Sequence, residues 1–211
     1  MLKDRSEYSR FTSRYTSFSY ATDGYFSSSS NRMITYDKSS GQKNSYASFQ
    51  TMKTVIHEAV HQAGHNVGIH SRFFAQPQWF KEGLATLFEA PGINNPAANP
   101  KAKHRVDADS LLAASRFLDK QNKPGVVELL VRSDGMFNAD TRSAYGVSWA
   151  LSSYLFERFP RQYMRYVNLL NEEPATASQS PDVRLKLFTE TFGATGRIEG
   201  GLRSYVSGLA D

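Results

Sequence analysis

Residues 54–90 read TVIHEAVHQAGHNVGIHSRFFAQPQWFKEGLATLFEA, and the rest of the chain is organised around them. Within this stretch His57-Glu58-Ala59-Val60-His61 forms an H-E-x-x-H pattern. On a helix its two imidazoles stand at i and i+4 on one face, with a carboxylate beside them, which outlines a zinc site. The apolar neighbours Met52, Val55, Ile56, Ala59, Val60 and Ala63 surround the segment almost completely, so a buried helix is predicted. Unpaired polar groups there would cost about 2–7 kcal/mol each even when neutral. A bound divalent cation removes that cost.

Two histidines do not hold zinc alone, since a catalytic site has three protein ligands and leaves the fourth position to water. Glu82 is the best third ligand. Gly64 and Gly68 can end the first helix, and Pro77 suits the first turn of a second one from about Gln78 to Glu89. Glu82 then sits near the start of that second helix. Gly83 costs about 1 kcal/mol relative to alanine inside a helix. Its presence there predicts a close approach to the first helix or to the metal.

HEAVHQ followed by PQWFKEGLATLFE resembles the gluzincin, or peptidase MA, superfamily of zinc metallopeptidases, in which H-E-x-x-H precedes a downstream glutamate in a W-x-x-E-G-x-A context. More narrowly it is similar to a bacterial family of uncharacterised gluzincin-like domains with HEAxHQ and PxWxxEGLAxxFE motifs. The resemblance is dense over residues 54–90 and looser elsewhere. It implies zinc on His57, His61 and Glu82, Glu58 as general base, and Glu89, seven residues after Glu82, supporting the ligands from behind. It also implies a zincin-like fold and hydrolysis of peptide bonds in a peptide or protein substrate.

The remaining chain sets the frame for that reading. A chain of 211 residues, 40% hydrophobic and 13% aromatic, is long enough for one substantial core, so a single domain over 1–211 is expected. The expected class is α+β: a small N-terminal sheet with a helix, the active-site helix, and a mostly helical C-terminal part. No run approaches the ~20 apolar residues of a membrane span. The net charge of +5 is spread rather than clustered, which argues against nucleic-acid binding. With no cysteine, a thiol nucleophile, a disulfide framework and a thiolate zinc finger are excluded.

Met1 to Phe11 lacks the apolar core of a signal peptide. Met1-Leu2 nevertheless reads as the end of a strand before a helix, so the chain is expected to be trimmed from a longer one. That would favour an extracytoplasmic or secreted location. A short helix is predicted over Arg5 to Tyr15 with Tyr8, Phe11 and Tyr15 facing the core. Residues 16–30 are rich in Ser, Tyr and Gly, with Ser27 to Ser30 read as a small low-complexity loop, and no serine there sits in a G-x-S-x-G elbow, which argues against serine nucleophile chemistry. Asn31 to Asp37 reads as a strand. By order of elements it matches the gluzincin strand that lines the cleft and pairs with substrate.

His65 and His70 read as helix-end or loop histidines. His104 lies in a basic stretch after the loop 91–100. Helices are predicted over Asp109–Asp119, Gly125–Arg132, Arg142–Phe159, Arg161–Leu170, Asp182–Phe192 and Arg197–Ser207, with Ser180 capping before Pro181. Gluzincins often place a Tyr or His where negative charge grows on the scissile carbonyl oxygen. Tyr145 is the candidate here, with an aromatic core role as its plain alternative and His104 and Arg105 as weaker substitutes. Two other readings stand beside the peptidase: a zinc-binding or scaffold module without turnover, and hydrolysis of another amide such as a cell-wall peptide cross-link.

Overall fold

The computed structural model describes residues 1–15, 22–39, 45–73, 75–90, 92–95, 97–121, 124–172 and 180–210. Contacts gather into two compact units, residues 1–67 and 68–211. The described chain is mostly helical with one two-stranded sheet, so the α+β class holds in this coarse sense. No described helix is long and apolar enough to cross a membrane.

In the first unit α1 spans Arg5–Tyr15, as predicted. Its start is fixed by Asp4, whose carboxylate accepts the Glu7 N–H at 2.9 Å, while Glu7 accepts the Lys3 N–H at 2.7 Å. Tyr8 is buried with its ring 5.3 Å from Tyr36, and Phe11 is half-buried. The Tyr15 side chain and residues 16–21 of the Ser-, Tyr- and Gly-rich stretch lie outside the described residues, as do Pro91 and Pro96 of the loop 91–100.

Gly24–Ser27 forms strand β1, an element the sequence did not reveal, and the predicted loop at Ser27–Ser30 begins one residue later, as the turn that follows the strand. The strand pairs antiparallel with β2, Arg32–Thr35, Gly24 opposite Thr35 and Ser27 opposite Arg32. GYFS carries no alternation that marks a strand, and its flanking serines read as turn. The turn is completed by Asn31 at φ 55°, a conformation asparagine tolerates better than most residues. Leu2 then forms a parallel bridge to Tyr36 beyond β2.

The long helix α2 spans Ser45–Val67. Gly64 does not end it but lies buried within it, and Gly68, at φ +81°, follows its last residue. The prediction of an all-round buried helix also fails: Met52 is 59% exposed, and Val55, Ile56, Ala59 and Val60 are half-buried. Within this unit the strands that pack on α2 are β1 and β2, and a two-stranded hairpin can cover only part of a helix. Thr51, Lys53 and Glu58 are among the buried residues of α2.

The second unit comprises α3 (Gln78–Phe88), α4 (Ala108–Lys120), α5 (Val126–Arg132), α6 (Gly135–Ala139), α7 (Thr141–Arg158), α8 (Pro160–Glu172), α9 (Pro181–Phe192) and α10 (Thr195–Ala210). All six predicted C-terminal helices are present. The short α6 and a 3-10 turn at Ala102–Arg105 were not foreseen. Ser180 precedes α9 without a side-chain cap, so Pro181 at the first helical position carries the start signal alone.

Helix α7 is the centre of this unit, with α3, α4, α6, α8 and α10 packed around it. Small residues permit the close crossings. A Cβ on Gly146 would stand 2.7 Å from Ala113 Cβ and 2.8 Å from the Ala114 nitrogen of α4.

Glu199 of α10 ties two helices together. Its carboxylate accepts the N–H groups of Gly125 (2.8 Å) and Val127 (3.3 Å) at the start of α5 and the Arg203 guanidinium (2.9 Å), with its side chain only 3% exposed. Burial by itself would raise this carboxyl. The Arg203 hydrogen bond and charge, with the two backbone donors, outweigh it and hold the group below the usual glutamate range. Its stabilising contribution is therefore complete above the unfolded-state value and is lost as pH falls through the lower folded-state value. Glu199→Gln is expected to lower stability at neutral pH and to make the remaining stability less sensitive to acid. Urea unfolding at pH 7 and at pH 3 measures both, and an unchanged acid sensitivity contradicts the assignment.

Candidate metal centre

Helix α2 brings His57 and His61 together one turn apart. Their Nε2 atoms are 3.1 Å apart and their rings meet edge to face at 4.8 Å. At that separation one ring N–H donates to the other nitrogen, or both nitrogens turn lone pairs toward a cation. Glu58 lies between them in sequence and is buried at 7% exposure. Beside it are Thr54, one turn earlier on α2, and Gly24 of β1. Tyr8 is close enough that the Glu58 charge acts on it. The Tyr8 hydroxyl is pushed above its ordinary value mainly by burial, against a lowering hydrogen bond to Thr22, with Glu58, Tyr25 and Asp23 adding to the rise.

Glu82 is the fifth residue of α3, a helix opened by Pro77 at its N-cap rather than in its first turn. The glycine after it has a different reason from the one its position suggested. A Cβ on Gly83 would collide with the Ser148 carbonyl oxygen and the Ser152 hydroxyl, so Gly83 lets α3 press against α7. Glu89 is the half-buried C-cap of α3. Tyr145 lies in the first turns of α7, half-buried, with its ring edge-on to Phe137 at 5.5 Å.

In the first unit His57 and His61 each offer one ligand-capable nitrogen, and in the second unit Glu82 offers a carboxylate. Two nitrogens bound to one tetrahedral zinc at 2.0–2.1 Å stand about 3.3 Å apart. The observed 3.1 Å between the imidazoles suits that ion.

The other histidines stand elsewhere. His65 is in the last turn of α2 against Phe26, with 5.2 Å between ring centroids. His70 is in the loop after α2, 1% exposed, its Nδ1 3.2 Å from Gln76 Oε1. His104 is exposed on the 3-10 turn, while Arg105 beside it donates to the Asn99 carbonyl at 2.5 Å and pairs with Glu157. Residues 32–35 form strand β2, as the strand reading of Asn31 to Asp37 expects, and just beyond it Leu2 donates to the Thr35 carbonyl at 2.7 Å and accepts from the Asp37 N–H at 3.0 Å. The strand whose backbone abuts Glu58 is β1.

Sequence reasoning missed Gly24 and Gln62. A lone glycine opening a strand is a known sign of close backbone approach, but β1 itself went unseen. Gln62, directly after His61, donates to the Asn31 carbonyl at 2.7 Å and latches α2 to the hairpin turn.

The chain is thus a mostly helical protein with two imidazoles paired on one helix of its first unit. Residues 51–176, more than half of it, match the family described as a protein of unknown function (DUF1570), and the chain belongs to that family. The match spans His57, Glu58, His61, Glu82, Glu89 and Tyr145. No curated protein and no solved structure matches.

Proposed function

We propose that the protein is a zinc-dependent metallopeptidase of the gluzincin type with a zincin-like fold, acting on peptide or protein substrates. The observation that carries this reading is the His57–His61 imidazole pair, with Glu58 buried on the same helix. His57, His61 and Glu82 would hold the ion, which when bound would supply an acidified water, with a pKa of roughly 7, and a polarising charge for a substrate carbonyl. Glu58 takes the proton from the attacking water and returns it to the leaving amine. The Tyr145 hydroxyl supports the oxygen on which negative charge grows, and Glu89 steadies the ligands. A purely structural metal site has no use for a base beside an open coordination position, so Glu58 favours hydrolysis over a binding module.

Elemental analysis of protein purified without added metal tests the reading. Wild type is expected to carry one zinc per chain and to cleave members of a mixed peptide library. Glu82→Ala is expected to lose both the zinc and the cleavage. A wild-type protein that takes up no zinc even when it is supplied overturns the proposal.

A further inference from the structure

Strand β1 packs on α2 within the first unit, and at Gly24 it meets Thr54 and Glu58. Phe26, two residues on and therefore on the same face of the strand, stands against His65. A Cβ on Gly24 would lie 2.7 Å from Thr54 Cγ2, 3.2 Å from Glu58 Cγ and 3.3 Å from Glu58 Oε1. Gly24 is not among the positive-φ glycines, so its own backbone makes no demand for glycine. The demand comes from α2.

The strand is pinned at both ends and has little room to retreat. Thr35 Oγ1 donates to the Asp23 carbonyl at 3.0 Å, and the Asp23 carboxylate accepts from the Tyr36 hydroxyl and from Lys38, each at 2.8 Å. At the turn Gln62 holds the Asn31 carbonyl at 2.7 Å. A methyl group added at position 24 must therefore be met by movement of the α2 side chains that face it.

We infer that Gly24 is a positioning residue for Glu58: the bare backbone of β1 forms the wall against which the carboxylate rests, and any side chain there displaces the base. The catalytic consequence rests on the hydrolytic reading above, whereas the contact itself does not.

The two contacts can be separated by substitution. Thr54→Ser removes the methyl that a new Cβ would strike first and keeps the hydroxyl that donates to the Gln50 carbonyl at 3.1 Å. Gly24→Ala alone is expected to lower both Tm and kcat. In Gly24→Ala combined with Thr54→Ser, Tm is expected to return to that of Thr54→Ser. Its kcat should remain reduced about tenfold or more, with KM and zinc content unchanged, because small misplacements of a reacting group are costly. If kcat recovers together with Tm, Gly24 is only a packing residue and the inference is overturned. If wild type cuts no peptide, the hydrolytic reading fails separately, and crystal structures of Thr54→Ser and the double variant decide the positioning. A displaced Glu58 carboxylate upholds it, and an unmoved one overturns it.

Discussion

On the proposed mechanism, Glu58→Gln is expected to lower kcat for peptide hydrolysis by about 10²–10⁴-fold, the usual contribution of a positioned general base, with zinc content unchanged. The choice of glutamine matters. Glu58 is buried and its Cγ and Oε1 lie close to the Gly24 backbone, so truncation to alanine would open space beside β1 and confuse lost chemistry with lost packing. Glutamine keeps the shape and removes only the capacity to accept a proton from water and pass it to the leaving amine. His57, His61 and Glu82 remain, so metal content should match wild type. Steady-state kinetics on a cleaved library peptide, with elemental analysis of the same preparation, measures both. Activity within a few-fold of wild type would remove Glu58 from the mechanism and leave the donor group as a binding or structural metal site.

What the sequence made legible here is local, and what it concealed depends on contacts distant along the chain or on what covers a surface. The approach of His57 to His61 follows from i,i+4 spacing on one helix, and the bounds of α1, α3 and the C-terminal helices follow from periodicity, proline and glycine. Gly83 was legible as an anomaly but not in its cause, because the atoms it accommodates, in Ser148 and Ser152, lie some 65 to 69 residues further on. Strand β1 was concealed because four residues flanked by serines become a strand only through pairing with β2 and packing on α2. The burial of α2 was misjudged for a related reason. Apolar residues all round a helix predict burial only if enough neighbouring structure exists, and in the first unit a hairpin supplies the packing.

Trp79→Ala is expected to destabilise the protein by about 3–5 kcal/mol, the range for removing a fully buried indole or phenyl ring. Trp79 is completely buried in the first turn of α3. Its ring stacks on Tyr166 at 5.7 Å and meets Phe188 edge-on at 5.9 Å, and Phe80 beside it packs against Tyr163 and Tyr166. These rings come from α8 and α9, so one substitution opens a cavity shared by three helices. Domains are stable by only about 5–15 kcal/mol, so this loss is a large fraction of the total and should lower Tm by about 10 °C. Trp79→Phe retains an aromatic ring and should cost markedly less. If Glu82 is the third ligand, as proposed, the effect should also reach the metal, because Glu82 lies three residues along the same helix and a loosened α3 would hold its carboxylate less firmly. Urea unfolding reads the first effect, and the chelator concentration that strips zinc reads the second. A loss below 1 kcal/mol would mean that the aromatic cluster does not anchor α3. A full loss of stability with unchanged zinc retention would mean that Glu82 is held by contacts independent of the cluster.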